Sequence, residues 1–152
     1  MRKKPEAGLR VQALKLLARR EHSRAELRAR LLPLVQEGDE VEAVLDDLER
    51  RNWLSDERAA AQIVHAKRSR FGAHRIAHEL RSKGIAEEWI SAALPQLKET
   101  ELDAAREVWQ AKFGAPPKDR NEKAKQIRFL QSRGFAMEVI FRVLHLTAPM
   151  DD

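Results

Sequence analysis

Cysteine is absent from the 152 residues, and with it any disulfide framework, thiolate metal site or thiol nucleophile. Tyrosine is absent too, and aromatics are confined to five Phe and three Trp. With β-branched residues also scarce, strand-forming side chains are too few for a sheet protein. No apolar run approaches the ~18 residues needed to cross a bilayer. The first apolar stretch, Leu9 to Ala18, is broken by Arg10, Gln12 and Lys15, so it does not read as a secretory segment. These absences lead to the expectation of a cytoplasmic protein without membrane association. Catalysis finds no foothold either, because there is no glycine-rich phosphate loop and no Ser, His and Asp set in a spacing that implies a site. We therefore expect a non-enzyme with no cofactor.

Ala, Leu, Arg, Glu and Lys dominate what remains, with 35% charged residues and 43% hydrophobic ones, the profile of an all-helical chain. Leu80, Ser82, Gly84, Ala86, Glu88, Ile90 and Leu94 recur fifty positions later as Leu130, Ser132, Gly134, Ala136, Glu138, Ile140 and Leu144. Lys83 and Ile85 are replaced by Arg133 and Phe135. A shift that persists through apolar, glycine and polar positions alike marks a duplicated structural unit. A fainter copy lies upstream, where Leu27, Leu31, Val44, Leu45 and Leu48 match Ile76, Leu80, Ile90, Ser91 and Leu94. Its turn, Pro33 to Asp39, differs in length and reads as lacking the corresponding glycine. The expected fold is all-α, with three tandem three-helix modules at 1–54, 55–97 and 98–152, about nine helices in all.

Local signals place those helices. Leu9, Ala13, Leu16 and Leu17 form one apolar stripe, and Ser23 with Glu26 three residues later opens a second helix through a capping box. Asp39 suits the start of a third, which buries Val41, Val44, Leu45 and Leu48. Ser55 or Asp56 begins the next, with Trp53 packing across the junction. Ala73 to Lys83 ends at Gly84, a left-handed terminator, and Glu87 to Leu94 is expected to stop at Pro95. A new helix is then expected at Thr100, capped with Asp103, burying Leu102, Ala105, Trp109 and Phe113 before the Gly114-Ala115-Pro116-Pro117 breaker. Asn121 to Arg133 and Met137 to Leu146 supply the last two helices around Gly134. Met1 to Glu6 and Pro149 to Asp152 read as frayed ends.

Charge is unevenly distributed about a net value of +5 and a pI near 9.8. From His65 to Lys83, six bases (Lys67, Arg68, Arg70, Arg75, Arg81 and Lys83) stand against Glu79 alone. From Lys118 to Arg133, six more (Lys118, Arg120, Lys123, Lys125, Arg128 and Arg133) stand against Asp119 and Glu122. Asp39 to Arg50 reverses the sign, with Glu42, Asp46 and Glu49 in one helical row. Such runs favour a polyanionic or acidic partner, and the ordinary alternative is a solvated face with arginine stems covering apolar surface. The acidic helix reads as a solvated outer face. His74 and His78 lie one turn apart with His65 nearby, but a third and fourth ligand are missing, so no metal site is inferred. Trp53, Trp89 and Trp109 fall at inward or junctional positions and read as packing residues rather than base-stacking platforms.

In the stretch Leu54-Ser55-Asp56-Glu57-Arg58-Ala59-Ala60, followed by Arg68, Arg70, Phe71-Gly72, Ile76, Leu80 and Lys83-Gly84-Ile85, the chain resembles the RecX family of recombination regulators. The flanking modules fit as well, including Ser23-Arg24-Ala25-Glu26-Leu27, so the resemblance runs from Leu9 to Leu146. One departure is Arg58-Ala59-Ala60, where the family often carries an aromatic before the alanine. The resemblance implies an elongated, curved array of three-helix modules that binds along the RecA–DNA filament as a monomer. It also implies modulation, usually inhibition, of filament growth, strand exchange, ATP hydrolysis and repressor self-cleavage, and several members bind DNA directly. The expected contact residues are Lys67, Arg68, Arg70, Arg75, Arg81 and Lys83, with Lys123, Lys125, Arg128 and Arg133 on the second patch. A sequence-independent binder of single- or double-stranded DNA is the alternative, since no helix offers an array of base-reading side chains.

Overall fold

A computed structural model describes residues 8–147, which hold eight α-helices and no strand. The two frayed ends expected from the sequence, Met1 to Glu6 and Pro149 to Asp152, lie outside the described residues. The helices are α1 (Leu9–Arg19), α2 (Arg24–Leu31), α3 (Val41–Arg50), α4 (Asp56–Lys67), α5 (Ala73–Ser82), α6 (Glu87–Lys112), α7 (Arg120–Ser132) and α8 (Met137–Thr147). A short 3₁₀ turn, Leu32–Leu34, follows α2.

Three separate hydrophobic cores form, one per module. The first gathers Leu9, Ala13, Leu27, Leu31, Leu45, Leu48 and Leu54 from α1, α2, α3 and the segment after them. The second is built on Ala60, Ile76, Leu80, Ile85, Ile90 and Leu97, the third on Ala105, Trp109, Leu130, Phe135, Ile140 and Val143. In the second and third modules the last two helices are joined by a turn whose geometry recurs: Ile85 and Phe135 donate their N–H groups to the carbonyls of Leu80 and Leu130.

Two helix boundaries differ from expectation. Proline does not stop the helix at Pro95; α6 runs unbroken for 26 residues, so modules two and three share it. Pro95 is exposed, so the carbonyl it leaves without a donor faces water. The buried stripe Ile90, Leu97, Glu101, Ala104, Ala105 and Trp109 continues through the proline and outweighs its penalty of about 3 kcal/mol. Thr100 is therefore no cap; its hydroxyl lies against the carbonyls of Gln96 and Leu97 within the helix. Eight helices rather than about nine result. Asp39 does not cap α3 either, because its carboxylate accepts from Gln36 N and closes the preceding turn (2.9 Å). Ser23 and Ser55 cap α2 and α4 as expected, Ser23 in a full capping box.

Trp53 is the third correction. Asn52 adopts φ 60°, which turns the chain so that Leu54, 2% exposed, enters the first core. Trp53 stays 43% exposed, flanked within its own module by the guanidinium groups of Arg10 and Arg51 at 5.6 and 5.2 Å. Trp109 is buried, and its indole N–H donates to Gln126 Oε1 (2.8 Å).

Candidate functional site

Modules meet through one repeated contact, and it positions the basic residues. The N-terminal turn of α2 lies on the Lys83-Gly84 turn: Ser23 Oγ donates to the Lys83 carbonyl, and a Cβ on Gly84 would stand 2.4 Å from that of Ala25. The N-terminal turn of α5 lies in the same way on the Arg133-Gly134 turn. There Gly72 N donates to the Arg133 carbonyl (2.8 Å), and a Cβ on Gly134 would stand 2.3 Å from that of Arg75. Gly84 and Gly134, at φ +71° and +86°, are needed twice over, once for the left-handed turn and once for the close approach. Since module one docks at the C-terminal end of α5 and module three at its N-terminal end, the three modules follow one another in a line.

Side chains reinforce both junctions. At the first, Glu26 accepts from Arg20 (2.9 Å) and faces the Lys83 ammonium at 3.6 Å. Burial raises the pKa of the Glu26 carboxyl, but the Arg20 and Ser23 hydrogen bonds with the two positive charges overcome it and leave the group below its ordinary value. Glu21 accepts from Arg58 (2.9 Å), and Arg24 N donates to Asp56 (2.8 Å). His22, 3% exposed, is held below the ordinary histidine range chiefly by burial. At the second junction Glu101, 5% exposed on α6, accepts from Ala73 N (3.2 Å) and Ala136 N (3.3 Å), the starts of α5 and α8. Sequence reading missed Glu101, although its place on the stripe Leu97, Glu101, Ala104, Ala105 marked it as an acid facing inward.

The second junction also gathers cations. Around the ring of Phe71 stand Arg75 at 4.3 Å, Arg133 at 5.3 Å, Lys67 at 5.4 Å and Arg70 at 5.7 Å from the centroid. Arg133 also lies 5.1 Å from Phe129, with Lys112 on the same ring at 5.3 Å. Phe129 in turn meets Phe113 edge to face, centroids 5.5 Å apart. The two basic runs thus meet at Phe71. Among the described residues none of these five cations has a carboxylate partner, and Arg75 instead donates to the Ser132 carbonyl (2.9 Å). Glu79 is the one acid lining the adjoining groove, with Lys67, Phe71, Arg75, Ile76, His78 and Ser82. Five like charges held by ring faces and a carbonyl make a surface prepared for an anionic partner.

Other basic residues have partners inside the molecule. Arg68 donates to Thr100 Oγ1 (3.1 Å), Arg81 grips Glu87 with its shorter contact at 2.7 Å, and Lys83 faces Glu26. Lys123, Lys125 and Arg128 are exposed on α7, with no ion pair among the described residues and away from the Phe71 ring. The acidic row of α3 faces α2 rather than only solvent: Arg24 contacts Glu42, Asp46 and Glu49 at 2.7 to 2.8 Å, and Arg28 holds Glu42 at 2.6 Å. The Glu42 carboxyl, hydrogen-bonded by Arg28 and Arg24, falls to about 2. His65, His74 and His78 are all exposed. Among the described residues no three His, Asp or Glu side chains are grouped to hold a metal, and no helix is long and apolar enough to cross a membrane.

Comparison with known proteins matches each module in turn. Residues 10–48, 55–94 and 99–144 fit the first, second and third three-helix domains of RecX. A regulatory protein RecX from Leptothrix cholodnii is 50% identical over 94% of this chain and 91% of its own. That from Ralstonia nicotianae is 44% identical over 95% and 92%. A crystal structure of RecX from Lactobacillus salivarius, 20% identical, shares the fold with a TM-score of 0.76 over 91% of this chain and 94% of its own. With three consecutive domain matches and relatives of this identity over nearly their full length, the chain belongs to the RecX family of regulatory proteins.

Proposed function

We propose that this protein is a non-catalytic regulator of RecA that binds along the RecA–DNA filament and restrains its growth, and with it ATP hydrolysis, strand exchange and repressor self-cleavage. The observation that carries the proposal is the cluster of Lys67, Arg70, Arg75, Arg133 and Lys112 around Phe71 and Phe129, cations without carboxylate partners among the described residues, at a junction between modules. The modules at 1–54, 55–97 and 98–152 act as one rod that spans more than a single filament subunit and works in the cytoplasm. Lys67, Arg70, Arg75 and Arg133 meet the acidic groove or DNA phosphates, while Arg68, Arg81 and Lys83 are engaged by partners within the protein itself. Lys123, Lys125 and Arg128 extend the positive surface along α7.

The test is DNA-dependent ATP hydrolysis by RecA on single-stranded DNA, with this protein added before or after filament assembly. Loss of hydrolysis at few molecules per filament is the expected result. The unpaired cations of α7 favour a second reading, a stand-alone binder of DNA without sequence preference. Each neutralised phosphate would then add about 0.7 to 0.9 to the log–log salt dependence of binding. Inhibition that sets in only when the protein saturates free DNA selects that reading.

A further inference from the structure

The turn between α3 and α4 holds a tryptophan outside the core on a pinned backbone. Asn52 and Trp53 donate their N–H groups to the carbonyls of Glu49 and Leu48 at 2.9 Å, and Leu54 donates to that of Leu48 at 3.2 Å. Asn52, at φ 60°, is the residue type that tolerates a left-handed turn best after glycine. Its side-chain oxygen accepts from Arg58 (3.0 Å), which is anchored in turn by Glu21 (2.9 Å). Trp53, 43% exposed, is thus presented to solvent on a rigid support.

Three arginines stand beside it. The guanidinium groups of Arg10 and Arg51 lie 5.6 and 5.2 Å from the ring centroid. Both reach the same oxygen of Asp47, Oδ2, at 3.0 and 3.2 Å, so they do not sandwich the ring, and indole surface on the side away from them stays open. Arg50 reaches the other Asp47 oxygen at 3.4 Å. Among the described residues Asp47 is the one carboxylate that any of the three contacts, while Asp46 and Glu49 on the same helix are taken by Arg24. Three cations against one acid leave the site positive, with the side chains of Arg10, Arg50 and Arg51 42%, 75% and 50% exposed.

We infer that this turn is a binding site for single-stranded nucleic acid: an unpaired base stacks on the open indole surface of Trp53, and Arg10, Arg50 and Arg51 take the phosphates next to it. An aromatic face beside arginines suits a single strand of any sequence, since every base offers a π face and every linkage a negative charge. In a duplex the base faces are covered by their neighbours in the stack, so the site favours single strands over double-stranded DNA. An acidic protein segment would pair with the arginines but leave the indole without a planar partner. The site lies on module one, apart from the Phe71 cluster between modules two and three, and neither basic run of the sequence includes it.

Fluorescence anisotropy of a labelled oligothymidine, which stacks little on itself, tests the site on the free protein without RecA. Trp53→Ala, at native helicity, should bind oligothymidine about tenfold more weakly and bind a duplex of equal length as the unaltered protein does. Trp53→Phe should recover most of the loss. Arg50→Ala should lower the log–log salt dependence of oligothymidine binding by about 0.7, the share of one phosphate. No binding of oligothymidine by the unaltered protein, an unchanged affinity of Trp53→Ala, or an equal loss on the duplex would overturn the site. So would a Trp53→Ala variant that loses affinity for RecA filaments alone, which would make Trp53 a protein contact. Failure of the Phe71 cluster to bind filaments would leave the Trp53 site standing, because oligothymidine reads it separately.

Discussion

Gly38, Gly84 and Gly134 share a left-handed turn but not its surroundings, so alanine at each separates two costs. At Gly38 only the conformation resists, about 1 kcal/mol. At Gly84 and Gly134 the new methyl also meets Ala25 Cβ at 2.4 Å or Arg75 Cβ at 2.3 Å, so Gly84→Ala and Gly134→Ala should each lose clearly more in urea unfolding than Gly38→Ala. Equal losses would contradict the docking account. Two titratable groups at the first junction act together. His22, buried and held below 6.5, supports the fold above that pH; as pH falls through 6.5 the unfolded chain takes up a proton that the folded one resists, and stability declines. Glu26, also lowered, contributes above 4.5, a contribution that is lost as pH falls further through its folded value. The melting temperature should therefore drop from pH 7 to pH 5, and His22→Gln should flatten that first part of the decline. The glycine terminators and the Ser23 capping box were legible in the sequence because they are local signals, whereas the burial of His22 is a tertiary outcome that no local pattern displays.

Helix α6 shows where local rules yield. Pro95 and the Thr100–Asp103 pattern both read as a break, yet the apolar stripe on either side keeps one register, and tertiary burial decides in favour of continuity. The shared helix makes Glu101 a joint between two modules. Glu101→Ala would leave the Ala73 and Ala136 N–H groups without their acceptor, at a cost of about 2 kcal/mol, while Glu101→Gln keeps an acceptor and should lose less. Denaturant midpoints of the two variants check the order. Helix α3 carries a parallel lesson. Its acidic row read as a solvated outer face, but Arg24 and Arg28 of α2 reach it. Complementary rows fourteen or more positions apart were visible in the sequence; what periodicity omits is which helix faces which.

As a molecule, the protein is a line of three small cores joined by two polar junctions, and the partner surface we propose sits on one of those junctions. The module plan followed from the repeat, because a fifty-residue shift preserves every contact within a unit. The contact surface was only half legible. Charge runs singled out ten residues, but a run cannot show that Arg68, Arg81 and Lys83 have partners inside the protein, or that Phe71 draws Arg75 and Arg133 together from separate modules. That division also chooses the variants. Arg75 holds the junction through Ser132, so reversing its charge would mix binding with stability, whereas the side chains of Lys67 and Arg70 make no hydrogen bond or ion pair among the described residues and only face the Phe71 ring. The most direct test is co-sedimentation of Lys67→Glu with Arg70→Glu, at native helicity, with preassembled RecA filaments on single-stranded DNA. Binding weakened by about tenfold or more, equivalent to some 1.4 kcal/mol, is the result expected if the Phe71 cluster is the contact surface. Filament binding equal to that of the unaltered protein would contradict it.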